Sequence, residues 1–350
     1  MEGSDQPTQA QLRNFAREVR RPSALFYLPE PPETTGLPPS LRSAPGLRNR
    51  KLSPAEIAVI RRLTRLQRVL SWLRSEQLGP QAVDPLPVVG ADTHPDQAAA
   101  LLRDRVGLSV VTQQVSWQNA PTALQEWRNA LTGRGVAVFQ FQIDKEAIRG
   151  FSVWDAYMPV AAVNTAYTPQ ARVYTLFHEM GHLLRRAEGA CATFADRESA
   201  QVERWCDRFA AAFLLPAGET KRFAMRFYDD QASDDVRFDQ VRKVARQFKT
   251  SVRATAIRLS ELGLASQDLY RVVAERAIQK FDDFPKPSNG GGGSPAAQTR
   301  LQHFGAPIVT NLLNGINSGH LTTRDVGDYL NLSPSGVADI ASLVAASSSP

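Results

Sequence analysis

Residues Arg172–Leu184 read RVYTLFHEMGHLL, which places His178, Glu179 and His182 in the spacing H-E-x-x-H. Residues four apart on an α-helix lie one turn above each other on the same face. His178 and His182 can therefore offer ring nitrogens to one metal ion. Glu179 sits about 100° further round, placed to reach a water on that metal without ligating it. Val173, Leu176, Phe177, Met180, Leu183 and Leu184 form an apolar stripe. The spacing predicts a helix that buries this stripe and turns both imidazoles toward a cleft.

Catalytic zinc takes three protein ligands and keeps a fourth position open. Two of the five histidines are in the motif. Downstream, residues 198–216 read ESAQVERWCDRFAAAFLLP, with Val202, Trp205, Phe209 and Phe213 on one side of a predicted helix. Glu203 and Asp207 are four apart and share the other side. Glu203 fits as third ligand and Asp207 as the carboxylate that orients a ligating histidine. Glu198 is the rival, but its helical phase places it near the apolar side.

These residues carry a family resemblance. The chain resembles the ImmA/IrrE zinc metallopeptidases, whose H-E-x-x-H helix is followed by E-x-x-(A/C)-(N/D)-x-F-A-A-x-(L/F)-L-x-P. Here that pattern runs from Glu203 through Cys206, Asp207, Phe209, Ala210, Phe213, Leu214 and Leu215 to Pro216. Upstream, Gly150-Phe151-Ser152 and Pro159–Asn164 resemble the family's strand leading into the metal helix. Asp207 stands where the family usually has Asn, which adds a charge beside the metal. The resemblance implies an α+β, zincin-like core that binds Zn2+. It also implies cleavage of a cognate XRE-type helix-turn-helix repressor, which would derepress stress-response, mobile-element or phage-defence genes. The alternative is a non-catalytic regulator or antitoxin-like protein that uses the fold as sensor or scaffold. An intact Glu179 argues against it.

The zinc is expected to lower the pKa of a bound water toward ~7. Glu179 then accepts its proton and passes it to the leaving amine. Tyr157, Tyr167 or an arginine could complete the oxyanion site.

Composition sets outer limits. The chain has 350 residues, 43% hydrophobic and 22% charged, as in ordinary globular proteins. No apolar run approaches the ~18 residues of a membrane span, and no signal peptide opens it. Cys191 and Cys206 are too few for a disulfide framework, and Cys206 reads as a buried thiol. Together these features lead to an expected cytoplasmic location. The net charge of +6 permits nucleic-acid contact without requiring it.

Residues 1–30 contain a predicted helix over Gln9–Arg20 and resemble a truncated XRE-type helix-turn-helix remnant, from which no DNA binding is expected. Residues 31–90 read as a proline-rich linker followed by a basic helix from Ser53-Pro54-Ala55-Glu56, a capping box, to about Leu78. That helix is expected to pack through Ile57, Ile60, Leu63 and Leu70 rather than bind an acidic partner. The peptidase core is placed at 91–228, with strands over 110–112, 135–142 and 159–164, a loop over 150–156, and a helix over 120–131. Residues 229–284 read as a helix-turn-helix-like pair. Over 236–280 there are 10 basic and 4 acidic side chains, so DNA contact is possible there. The preferred role is a wall that positions a protein substrate, with Arg242, Lys243 and Arg246 as contacts. A Gly-rich tether follows at 285–297, then a small helical module at 298–350, expected to dock on the peptidase.

Overall fold

A computed structural model describes residues 7–18, 40–42, 52–79, 85–90, 92–144, 147–186, 196–281 and 295–348. Its centre is a four-stranded mixed sheet built from β1 (Ser40–Arg42), β2 (Ala137–Phe141), β3 (Gly150–Val153) and β4 (Val160–Asn164), in the order β1-β3-β4-β2. Strand β2 runs parallel to β4 with Val138 opposite Ala161, and β3 runs antiparallel to β4 with Gly150 opposite Val163. Strand β1 pairs antiparallel with β3, Leu41 opposite Phe151.

The continuous apolar character of β2 and β4 follows from burial on both faces. Successive side chains alternate between two cores. Val138, Ala161 and Val163 point into a core shared with α3 (Pro95–Val106), α4 (Ala120–Gly133), α5 (Pro169–Arg185) and α6 (Asp196–Leu214). Ala137, Phe139, Phe141, Val160 and Ala162 point into the opposite core. That core is closed by α2 (Pro54–Leu78) and by α11 (Ala296–Phe304), α12 (Ala306–Asn317), α13 (Thr323–Leu330) and α14 (Pro334–Ser348). The molecule is thus α+β, with helical layers on both faces of the sheet. A third core holds α7 (Ala217–Ala224), α8 (Asp234–Phe248), α9 (Val252–Glu261) and α10 (Leu269–Phe281).

The capping box of α2 is present: the Glu56 carboxylate accepts from the Ser53 N–H at 2.7 Å, and Ser53 Oγ accepts from the Glu56 N–H at 3.3 Å. The second Glu56 oxygen accepts from the Ile148 N–H at 2.9 Å, which ties this helix to the loop before β3. Ile60, Leu63 and Leu70 are at most 1% exposed. Under the first face, Trp127 packs edge-on against Trp117, Phe177 and Phe213, and Phe177 stacks on Phe213 at 3.9 Å.

Several elements differ from the sequence expectations. The proline-rich stretch contributes β1, and Gly150–Val153, read as loop, is a strand. The segment expected as a strand over 110–112 is helical and ends in a π-helical turn, Thr112–Ser116. The reason lies in Gln113, which is fully buried and donates from Nε2 to the carbonyls of Leu214 at 2.9 Å and Phe248 at 2.7 Å. Those carbonyls end α6 and α8, so the turn satisfies two helix termini at once. The amino end shows one helix, α1 (Gln9–Glu18), so a helix-turn-helix remnant there rests on resemblance alone. Cys191, the tether at Gly290–Ser294 and the side chain of Glu198 lie outside the described residues. No described helix is long and apolar enough to cross a membrane.

Candidate metal centre

Helix α5 starts cleanly. Thr168 Oγ1 accepts the Ala171 N–H and Pro169 occupies the first turn. It then crosses β3 at close range. A Cβ on Gly150 would stand 2.6 Å from both the Ala162 carbonyl oxygen and Thr175 Cγ2, so only glycine permits the crossing. Helix α6 approaches α5 at a second small residue: a Cβ on Gly181 would lie 3.1–3.2 Å from Cys206 Sγ, Cα and Cβ. These two contacts set the depth of the centre, with Glu179 over the sheet and the His178–His182 face against α6.

The expectation of imidazoles turned into a cleft needs correcting. Helix α5 is buried on nearly all sides after its first turn; His178 is 1% exposed, His182 4% and Glu179 0%. The route to solvent passes the α6 carboxylates, whose side chains are 25% exposed at Glu203 and 35% at Asp207.

His178 Nε2 and His182 Nε2 are 3.2 Å apart. The Glu203 carboxylate lies 3.2 Å from the first and 3.3 Å from the second. Asp207 Oδ1 stands 2.9 Å from His178 Nδ1. A carboxylate oxygen only accepts, so Nδ1–H is the donor and His178 Nε2 is left with its lone pair facing His182 and Glu203. Tyr174 adds its hydroxyl to Asp207 Oδ1 at 3.2 Å and to the Asp207 carbonyl at 3.1 Å.

Two imidazole nitrogens and a carboxylate in mutual contact suit a cation between them. Tetrahedral ligands ~2.0–2.1 Å from zinc are separated by about 3.3 Å; the two Nε2 atoms are 3.2 Å apart, and Glu203 brings Oε2 to 3.2 Å from one and Oε1 to 3.3 Å from the other. His178, His182 and Glu203 form the one group of three or more such side chains found among the described residues that could hold a metal. Burial alone pushes the Glu203 carboxyl up, but its contacts with the His178 and His182 rings outweigh it and hold the group well below the usual carboxylate range. It is therefore ionised, as a ligand must be. Cys206 behaves oppositely. Burial, then the nearby Glu203, Glu179 and Asp207 carboxylates, push its thiol far up, so it stays a protonated packing residue.

Residues 132–260 match the family described as the IrrE N-terminal-like domain. This segment is similar to the IrrE-type peptidase domains. Strands β2–β4, the two helices that carry the cluster and nearly all of the α8–α9 pair fall inside the matched span; α2, α3 and α11–α14 fall outside it. No curated protein matches the chain.

The matched segment holds two further residues beside the cluster, Ser152 and Tyr174. Ser152 Oγ donates to Glu179 Oε2 at 3.0 Å and is buried. Ser152 stands in the family-like Gly150-Phe151-Ser152 stretch, but its contact with Glu179 was not readable there, because it comes from the crossing of β3 by α5. Tyr174 was detectable, since it lies four residues before His178 on the histidine face. The proposed oxyanion donors are engaged with backbone: Tyr157 donates to the Gly79 carbonyl at 3.5 Å and Tyr167 to the Ala147 carbonyl at 3.3 Å.

Arg242, Lys243 and Arg246 are brought together, but away from the metal cluster. They line a separate pocket with Phe223, Asp239 and Lys249. Arg242 pairs with Asp239 at 3.1 Å, and Lys243 lies 4.0 Å over the Phe227 ring. Much of the positive charge in 236–280 is tied up by acids: Arg237 meets Asp230, Asp234 and Asp268, Arg258 meets Asp96, and Arg276 meets Asp234 and Asp235.

Proposed function

We propose that this chain is a zinc-dependent peptidase, with His178, His182 and Glu203 as ligands and Glu179 as general base. The observation that carries it is the set of three separations of 3.2, 3.2 and 3.3 Å among two Nε2 atoms and one carboxylate, with His178 held in the required tautomer by Asp207. Zinc bound there supplies a Lewis acid and an acidified water. Glu179 supplies proton transfer. Its Oε2 is fixed by the Ser152 hydroxyl, which orients the carboxylate one residue along from the His178 ligand. The same carboxylate returns the proton to the leaving amine. Burial of both histidines excludes bulk water from the reacting bond and strengthens every charge interaction around it.

The substrate we propose is a folded XRE-type repressor, cut at one bond. Its support is the contact surface beyond the centre: the basic pocket of Arg242, Lys243 and Arg246 offers remote contacts that position a single loop.

Metal analysis and cleavage assays test both layers. About one zinc per chain is expected, lost in His178→Ala, His182→Ala and Glu203→Ala. Glu179→Gln should keep zinc and lose roughly 10²–10⁴-fold in hydrolysis. Reversing charge at Arg242, Lys243 and Arg246 should raise KM for the repressor and leave zinc intact. Equal cleavage of casein and repressor would sink the substrate assignment; undiminished hydrolysis by Glu179→Gln would sink the mechanism.

A further inference from the structure

Away from the metal centre, positive charge gathers at the β2 edge of the sheet. Arg128 of α4 is 5% exposed and donates to the carbonyls of Gln302 at 3.0 Å and His303 at 3.1 Å, in the last turn of α11. Arg172 of α5 donates to Gln140 Oε1, and the Gln140 amide donates on to the Gln302 carbonyl at 3.1 Å. Arg300 of α11 reaches 3.5 Å from His303 Nδ1. Arg62 of α2, a helix packed into the same core as α11, completes the group; the Arg300 charge acts on it, and its own charge acts on His303.

Two features together mark this cluster. Among the described residues no carboxylate pairs with any of the four, whereas Arg237, Arg258 and Arg276 all have acids. Each of the four also buries an Nε–H that has no hydrogen-bond partner. An uncompensated buried charge is costly, and four near one another add mutual repulsion. Burial lowers the pKa of all four, that of Arg128 to about 10, with Arg300 depressing Arg62 further and Arg172 depressing Arg128. Capping of the α11 carboxy terminus accounts for part of Arg128 alone: a helix end carries about half a negative charge, against four guanidinium groups.

We propose that Arg62, Arg128, Arg172 and Arg300 form a binding site for a phosphate-type oxyanion. Arg128 forms the floor, and Arg62, Arg172 and Arg300, each half-buried, form the rim. Guanidinium forks match phosphate oxygens in pairs, and a phosphate monoester brings about −1.5 to −2 charges at neutral pH. The ligand would join the peptidase domain, through Arg172, to the carboxy-terminal helices, through Arg300. The site is independent of the zinc assignment.

The test is thermal unfolding and calorimetric titration of the full chain with inorganic phosphate and, separately, adenosine monophosphate, at fixed ionic strength. Saturating phosphate should raise Tm by roughly 2–5 °C, and the response should vanish in Arg62→Gln and Arg300→Gln. In phosphate-free buffer these two variants should melt no lower than the parent, because each removes an unpaired charge. Arg300→Lys keeps charge without the fork and should bind roughly tenfold more weakly. Tighter binding of the monophosphate ester than of free phosphate would support the site and identify the ligand as an ester; equal binding would support it and identify free phosphate. The proposal is overturned if chloride gives the same gain, if Arg62→Gln and Arg300→Gln respond like the parent, or if both melt lower in phosphate-free buffer, which would make the arginines structural.

Discussion

Gly181 carries no chemistry, yet it governs where Glu203 stands. It lies between the two histidines and faces Cys206, three residues past Glu203, at separations a methyl group would crowd to 3.1–3.2 Å. Gly181→Val should force α6 away, cost about 1–3 kcal/mol by overpacking, and weaken zinc retention at least tenfold. Cys206→Ala, which leaves the approach open, should change zinc affinity far less. Urea unfolding and competition with a chelator read the two effects separately; equal zinc loss in both variants would refute the spacer role. At this scale, residues sharing a helix face were legible: His178 with His182 and Glu203 with Asp207 each follow from a step of four, the second pair also from its phase against the apolar side. The contacts of Ser152 and Gly150 were not, because these residues meet Glu179 and Thr175 only through the crossing of a strand by a helix.

Elements were legible where periodicity or caps speak, as in α2 with Ser53 and Glu56, and in the α8–α9 pair broken at Thr250-Ser251. They were misread where one buried polar side chain decides. Gln113 turns a strand-like run into a π-helical turn by capping two distant helices. Helix α11 offers the corresponding pH test. Burial, and then Arg300, Arg128, Arg62 and Arg172, push the His303 pKa down from 6.5 to about 4. The fold therefore keeps the ring neutral where the unfolded chain takes a proton, so the unfolded state binds more protons between those values. Stability should be full above pH ~6.5 and fall as pH drops toward about 4. His303→Gln should flatten that part of the profile, measured as urea midpoints of both proteins in phosphate-free buffer from pH 4 to 7. Parallel profiles would show that His303 is not held neutral.

At the scale of the whole molecule, the sheet is the shared wall of two cores, and this changes the meaning of the carboxy-terminal helices. Composition and charge alone allow residues 298–350 to be an appended module, because nothing local in α11–α14 names its partner. The partner is written into β2 and β4 instead, whose alternate residues Ala137, Phe139, Phe141, Val160 and Ala162 are fully buried on the face away from the metal helices. Phe304 meets Phe139 edge-on at 5.4 Å, and Arg65 of α2 lies 5.2 Å over the Tyr329 ring of α13. Removing residues 298–350 should therefore bare an apolar sheet face and cost the fold, not merely substrate affinity. Phe304→Ala should lose about 3–5 kcal/mol, while Arg324→Glu, on an exposed part of α13, should stay within about 0.5 kcal/mol of the parent. The truncated chain should aggregate and release its zinc, because α5 rests on the same sheet that the deletion uncovers. A truncation that keeps both its melting temperature and its zinc would mean that the metal-side layer folds without the second layer, and that the carboxy-terminal helices are dispensable to the centre.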